Sequence, residues 1–221
     1  MGINVAIDGP SGAGKSTLAR KLAEKLNFIY VDTGALYRTV GLYVLRKEID
    51  PKDKEAVSGI LPEVEVALRF INGEQHVYLN GEDVSADIRI HEVSQYASLV
   101  SAIPEVRRFL FETQQKMAAE HDVIMDGRDI GTVVLPNAEV KIFLTASPEV
   151  RARRRYNELL QRGQEVNYEQ ILADVIQRDE QDMNRPVAPL KPAEDSVIID
   201  NSGCTFDESL ALLYKTVKER I

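Results

Sequence analysis

The chain has 221 residues, with 27 Lys and Arg against 35 Asp and Glu (formal net charge −8), 44% apolar and 28% charged residues, and one cysteine. That size and balance suit one globular unit with room for a small insertion. The acidic excess argues against general binding to nucleic-acid backbones or anionic membranes, and a lone Cys204 excludes an internal disulfide.

The chain enters its first strand without a basic, cleavable leader, and no apolar run approaches the length of a membrane span. A cytoplasmic protein is therefore expected. Residues 3–8 read as a short buried strand. Next comes Gly9-Pro10-Ser11-Gly12-Ala13-Gly14-Lys15-Ser16, which fits the phosphate-loop pattern G-x-x-x-x-G-K-[ST] without a mismatch. Residues 17–26 predict a helix, with Leu18, Leu22 and Leu26 repeating every four positions. Strand, glycine loop and helix N-terminus make an anion site, because loop N–H groups point inward and the helix dipole favours negative charge. Lys15 is placed to reach the β- and γ-phosphates of a nucleotide, and the Ser16 hydroxyl to hold Mg²⁺. A chance glycine-rich turn is the competing reading, and the flanking strand and helix argue against it.

Residues 28–32 form the next predicted strand, running into Asp32-Thr33-Gly34-Ala35-Leu36-Tyr37-Arg38 and a helix with Leu36, Val40 and Val44 on one face. Ligands in open parallel sheets bind beyond the carboxyl ends of strands, which brings Thr33, Tyr37 and Arg38 towards the phosphate loop. A solvated charge is the alternative for Arg38. Residues 50–60 read as a linker or short helix. Val64, Val66, Leu68 and Phe70 then alternate with Glu65, Ala67 and Arg69, and Asn72-Gly73 and Asn80-Gly81 bracket His76-Val77-Tyr78-Leu79. This predicts a β-hairpin insert that stays outside the main sheet, with His76 in cross-strand packing.

The chain reads as helical from Val84, with Pro104 starting a new helix that buries Val106, Phe109, Leu110 and Met117 and ends at His121-Asp122. Arg107 and Arg108 are adjacent and so diverge from the helix surface. Residues 123–126 form a strand running into Gly127-Arg128-Asp129-Ile130-Gly131-Thr132. This polar turn either offers an arginine and a carboxylate to a ligand or is closed by a mutual Arg–Asp pair. After a strand at 140–144, Ser147-Pro148 starts a helix carrying Arg151, Arg153, Arg154 and Arg155. A break at Arg162-Gly163-Gln164 precedes a capping box of Asn167 and Gln170 and a helix buried through Ile171, Leu172, Val175 and Ile176. Two helices around an arginine-rich turn suggest a lid, with a solvated basic helix as the alternative. Arg178, Asp182 and Arg185 share one face, as a surface ion-pair stripe or as a positive wall towards phosphates.

Three prolines, Pro186, Pro189 and Pro192, make an extended connector to a last strand at 196–200. Asn201-Ser202-Gly203-Cys204 looks like a turn. Thr205 and Glu208 cap a final helix with Phe206, Leu210, Leu213, Tyr214, Val217 and Ile221 on its apolar face. The sum is an α/β, three-layer fold with a five-stranded parallel sheet, a small β-hairpin insert and a helical lid. His91 and His121 sit in polar helical context, and no metal cluster or Ser–His–Asp triad is suggested. The guanine signature Asn-Lys-x-Asp of regulatory GTPases does not occur. A small phosphate-loop protein with many arginines fits phosphoryl transfer between two small molecules, which needs in-line positioning, positive charge and exclusion of water. A nucleotide-dependent switch acting on a partner is the alternative from another class.

Four motifs occur in order: Gly9 to Thr17, Asp32 to Arg38, Asp126 to Thr132, and Asn184-Arg185-Pro186-Val187-Ala188-Pro189-Leu190. Together they resemble the bacterial cytidylate kinases, and the resemblance covers nearly the whole chain. The hairpin insert before Asp83-Val84-Ser85 resembles that family's enlarged monophosphate-binding region. One departure is Thr33, where relatives often carry Ser. The resemblance implies transfer of the ATP γ-phosphoryl group to CMP or dCMP, with Mg²⁺, in a monomer of pyrimidine nucleotide metabolism. A UMP-preferring kinase is the nearest alternative.

The resemblance also implies roles. Gly9, Pro10, Ser11, Gly12, Ala13, Gly14, Lys15, Ser16 and Thr17 would hold ATP, with Arg151, Arg154 and Arg155 as lid candidates for its phosphates. Thr33, Tyr37 and Arg38 would line the acceptor site. Arg38, Arg128 and Arg185 would surround the acceptor phosphate and the transferring group, with Lys15. Ser98, Arg107 and Asp129 would read cytosine, and Arg178 and Asp182 would contact the sugar. The implied division is a core at about 1–33, 120–150 and 186–221, a monophosphate-binding insert at about 34–119 and a lid at about 151–185.

Overall fold

The computed structural model describes residues 2–71 and 74–221. The chain begins with β1 (Asn4–Asp8), α1 (Lys15–Leu26), β2 (Ile29–Asp32), α2 (Thr33–Arg46) and α3 (Lys54–Ile60). A small antiparallel unit follows: β3 (Val66–Ile71), β4 (Glu74–Leu79) and β5 (Glu82–Asp83). Then come α4 (His91–Val100), α5 (Pro104–Glu120), β6 (Val123–Gly127), β7 (Val140–Thr145), α6 (Pro148–Gln161), α7 (Tyr168–Asn184), β8 (Val197–Asp200) and α8 (Phe206–Lys218).

Five strands form one parallel sheet in the order β2-β6-β1-β7-β8. β1 lies at its centre because Val5, Ala6 and Ile7 are apolar on both faces and fully buried. Val5 and Ile7 pack with Leu18 and Leu22 of α1 and Leu213 and Val217 of α8, while Ala6 joins Val31, Met125 and Ala118 on the other face. This alternation is the period-two signature of a strand. Register aligns the carboxyl ends: Asp8 is opposite Gly127, and Asp32 is opposite Asp126. Three carboxylates, Asp8, Asp32 and Asp126, thus stand along the edge where the loops emerge.

The insert sheet stays apart from the main sheet, as expected, and buries Val77 and Leu79 against Ala35 and Leu42 of α2. Asn80 and Gly81 both have positive φ (49° and 84°), the backbone of a two-residue I′ hairpin. The expected turn at Asn72-Gly73 lies outside the described residues. His76 Nδ1 donates to Asp83 Oδ2 at 2.8 Å, so it makes a side-chain hydrogen bond within the insert as well as packing across strands. The two-residue strand β5 was not expected, since Glu82-Asp83 has no apolar period. Helix does not resume at Val84; one 3₁₀ turn at Asp87–Arg89 precedes α4.

Local capping signals fared well where both partners lie within one turn. Ser147 caps α6 by accepting from the Val150 N–H, and Thr205 and Glu208 form a full capping box on α8. At α7 only half of the box exists. Asn167 accepts from the Gln170 N–H at 2.9 Å, but the Gln170 amide donates forward to Asp174. The buried face of α7 is also a correction: Ile171 is buried while Ile176 is 41% exposed, and the covered positions further along are Asp179 and Asp182. On α8 the apolar face is narrower than expected, because Phe206, Tyr214 and Ile221 are exposed while Leu210, Leu213 and Val217 are covered. Among the described residues, no helix is long and apolar enough to cross a membrane.

Candidate active site

The phosphate loop leaves β1 at Gly9, whose φ is 149° and where a Cβ would fall 1.9 Å from the Leu144 carbonyl oxygen. Only glycine fits there. Gly12, Ser16 and Thr17 are exposed while Lys15 is buried, with its ammonium donating to the Pro10 carbonyl at 2.7 Å. Lys15 therefore folds back over the loop it belongs to. Its burial, and then the charge of Arg128, push its pKa below the usual lysine range.

The Ser16 hydroxyl donates to Asp126 Oδ2 at 2.9 Å, and the Tyr30 hydroxyl donates to Asp126 Oδ1 at 2.8 Å. Asp126 is buried, and that burial together with the Asp32 charge raises its pKa. Asp126 was not singled out from sequence, although it closes a strand whose end faces the loop. The donor set fits Mg²⁺: hydroxyl and carboxylate are hard oxygens, which this ion prefers. Among the described residues no group of three or more His, Cys, Asp or Glu is arranged to hold a metal. An ion at Ser16 and Asp126 would thus be completed by phosphate oxygens and water.

Behind the loop stand two lid arginines. Arg151, 2% exposed, donates to the carbonyls of Ala146 (2.8 Å) and Ser11 (3.0 Å) and to Asp179 Oδ1 (3.0 Å). Arg154 donates to both oxygens of Asn201, and the Asn201 amide donates to the Ala13 carbonyl at 3.0 Å. Asn201 gave no signal in the sequence beyond a turn. Arg155 is the exception: it donates to Glu158 at 3.0 Å within its own helix, at the surface, and is not brought to the loop. Arg153 instead lies 4.1 Å from the Tyr168 ring centroid and ties α6 to α7.

A second cationic pocket adjoins the first, since the charge of Arg128 acts on Lys15. Asp32 caps α2 by accepting from the Ala35 N–H at 3.0 Å and also accepts from Arg38 Nη2 at 2.7 Å. Thr33 donates to the Asp126 carbonyl at 2.7 Å, so its hydroxyl ties two strand ends together. Arg128 donates through Nε to Asp182 at 2.8 Å. Arg178 is crowded by Arg128 and Arg38, and burial with those charges lowers its pKa to about 10. Arg38 Nε and Arg178 Nε are buried without partners among the described residues. Unsatisfied guanidinium donors beside like charges are suited to an anion.

At the far end, Arg107 and Asp129 form a buried pair, and Arg107 Nη1 also donates to the Ser101 carbonyl at 3.1 Å. Ser101 in turn donates to the carbonyl of Ser98, so Ser98 sits one turn from the Arg107 contact. Arg185 approaches Asp129 from the other side at 3.2 Å. Arg107 lies 5.5 Å from the ring centroid of Tyr37, whose burial raises its pKa. A cavity of about 270 Å³ touches Tyr37, Arg107, Gln114 and Ala188. Gln114 is fully buried, with Oε1 unpartnered, and had no sequence signal.

Arg128 and Asp129 do not pair with each other, and Arg178, Asp182 and Arg185 are not a surface stripe: Asp182 is 7% exposed. The site therefore joins a phosphate loop, an arginine pocket and an Arg–Asp pair suited to a hydrogen-bonding base.

Comparison with known proteins agrees with this chemistry. A family model described as cytidylate kinase matches residues 5–219. The chain is 51% identical to the cytidylate kinase of Caldicellulosiruptor bescii over 223 residues, covering 99% of each. It is 47% identical to that of Carboxydothermus hydrogenoformans (97% of each) and 45% identical to that of Pasteurella multocida (99% of this chain, 96% of the relative). Among solved structures, an uncharacterized protein from Eubacterium ventriosum superposes with a TM-score of 0.56 at 13% identity, covering 99% of each chain, which is a likeness of fold.

Proposed function

Because the chain belongs to the cytidylate kinase family, we propose how its residues divide the work of moving the ATP γ-phosphoryl group to CMP or dCMP. The observation that carries the division is the pair of adjoining cationic sites. One is the phosphate loop with Lys15, and the other is the pocket where Arg38 Nε and Arg178 Nε lack partners.

In this reading Gly9 to Thr17 cradle the donor phosphates through backbone N–H groups, with Lys15 beside the β- and γ-phosphates. Arg151 and Arg154 act on the donor side by bracing the loop carbonyls of Ser11 and Ala13. Ser16 and Asp126 are the residues that would hold Mg²⁺, which supplies charge neutralisation on the phosphates when bound. Arg38, Arg128 and Arg185 surround the acceptor phosphate, Arg178 adds its charge to the same pocket beside Arg128 and Arg38, and Arg178 and Asp182 together face the sugar. An oxygen of the acceptor phosphate forms a bond to the γ-phosphorus as the bond to the β–γ bridging oxygen breaks. ADP leaves with that electron pair. The acceptor phosphate is already ionised, so the protein needs to hold charge and alignment rather than remove a proton.

Arg107 and Asp129 read the base with Ser98, over Tyr37. Cytosine accepts at O2 and N3 and donates at N4, so an arginine serves the acceptors and a carboxylate serves the amine. Uracil presents O4 instead, which would face Asp129 with no proton between two acceptors. A buried mismatch of that kind discriminates by roughly 10⁴-fold or more. Ser98 and Arg107 of the insert thus share base recognition with Asp129 of the core, the core also supplies the phosphate loop, and the lid supplies Arg178 and Asp182. The proposal extends to a monomeric enzyme acting in the cytoplasm.

Purified protein, ATP and Mg²⁺ with each nucleoside monophosphate tests the reading. CMP and dCMP should each give the diphosphate with one ADP per turnover. Preference for UMP, AMP or GMP would overturn the base assignment, and ADP release indifferent to CMP would favour a nucleotide switch.

A further inference from the structure

Asp8 is the last residue of β1 and immediately precedes the phosphate loop. It is 4% exposed, and both carboxylate oxygens are used: Oδ1 accepts from the Ile130 N–H at 2.8 Å and Oδ2 from the Gly131 N–H at 2.7 Å. Those two N–H groups start the turn Ile130–Val134, which has no side-chain cap of its own. The Ile130 N–H belongs to the peptide that follows Asp129. Asp8 is therefore one bond from the loop that holds the donor and one peptide from the carboxylate that faces the base.

Nothing in the phosphate loop calls for an acid at this point. A buried carboxylate beside a triphosphate site is electrostatically unfavourable, and an apolar residue would complete the strand as well as Val5 or Ile7 do. What an acid alone supplies is two acceptors for two neighbouring N–H groups, in charge-assisted bonds. Gly131 leaves room for this contact: a Cβ there would lie 3.4 Å from Asp8 Oδ2 and 3.2 Å from Lys141 Cδ.

We propose that Asp8 is a positioning residue that fixes Asp129 for base recognition and joins the donor loop mechanically to the acceptor site. The inference rests on the reading of Asp129 as the cytosine contact. It makes a distinct demand, because Asp8 touches neither substrate yet selects between bases.

Asp8→Asn keeps the shape but sets an amide NH₂ against one backbone N–H. Its expected effect is a fall of about tenfold or more in the CMP-to-UMP ratio of kcat/KM, carried by KM for CMP, with KM for ATP changed less than about twofold. Gly131→Ala sets a methyl between Asp8 Oδ2 and the Lys141 stem, 3.4 Å and 3.2 Å away, while leaving the Asp8 charge in place, and should lower the ratio in the same direction. If Asp8→Asn does not fold, Gly131→Ala decides. An unchanged ratio in the folded variants, or equal losses for ATP and CMP, would overturn the proposal. Asp129→Ala in the same series separates the two claims. A ratio unchanged there removes the base reading itself, whereas a ratio that moves at Asp129 but not at Asp8 or Gly131 removes only the coupling.

Discussion

Gln75 completes the outer edge of the parallel sheet at Asp32. The Asp32 N–H donates to Gln75 Oε1 at 2.9 Å, and Gln75 Nε2 donates back to the Asp32 carbonyl at 3.4 Å. A side-chain amide from β4 thus stands where another strand's backbone would, beside the edge strand β2. Asp32 also caps α2 and holds Arg38. The insert sheet is in this way linked through Gln75 and Asp32 to Arg38 of the arginine pocket.

Removing that link should loosen Arg38 without touching the donor loop. Gln75→Ala removes both bonds, one of them long, and is expected to raise KM for CMP by about fivefold, a net loss of about 1 kcal/mol, with kcat and KM for ATP little changed. Steady-state kinetics with each substrate varied will show it. Equal losses on both substrates would mean that Gln75 supports the fold generally rather than Arg38.

Lys15→Ala should reduce turnover by roughly 10²-fold or more while leaving the melting temperature nearly unchanged. The two halves of this prediction have separate causes. In the proposed division the charge serves the transferring phosphoryl group, whereas its burial disfavours the protonated form and so gives the fold little in return. Turnover close to that of the unaltered protein would contradict the assigned role.

On the proposed reading Asp129→Ala should harm CMP use far more than ATP binding, since its carboxylate pairs with Arg107 and Arg185 rather than with the phosphate loop. Calorimetric titration with each nucleotide separates the effects. Equal weakening of both would count against base recognition. The substitution also frees two buried guanidinium groups, so some loss of thermal stability is expected alongside.

The pH dependence of stability isolates Asp8. Burial raises its pKa from 3.8 to about 6 in the folded state, against the bonds from Gly131 and Ile130 that lower it. The folded protein therefore holds a proton that the unfolded chain has released between these values. Stability falls as pH rises through that window, by about 3 kcal/mol at most for this group. Below the unfolded pKa the effect is absent, and above about 6 it is fully present. Asp8→Asn cannot titrate, so the stability of the unaltered protein relative to the variant should decline between about pH 4 and about pH 6 in denaturant melts. A constant difference would show that the carboxylate ionises as freely as in the unfolded chain.

How much of this was legible beforehand depended on how local the determining physics is. Val5 to Ile7, the Leu18 and Leu22 repeat, Ser147 and the Thr205–Glu208 box declare strand, helix and cap through neighbours no more than a turn or so away. The glycine loop declared a phosphate site for the same reason. Periodicity misread α7 because its covered face carries Asp179 and Asp182 rather than a continuous apolar stripe, with Ile176 left outside.

By itself, then, the sequence determined the parallel α/β architecture, the donor loop and, through four motifs, the family, because backbone geometry and apolar burial are written in short-range patterns. Only the tertiary structure decided which carboxylate each arginine meets. Arg128 reaches Asp182 across 54 residues, Arg151 reaches Asp179 across 28, and Arg155 is left on its own helix. Nor did spacing reveal Asp8 bound to the turn after Asp129, 122 residues on. A buried charge is stable only against a partner brought close by folding, and closeness of that kind has no period along the chain.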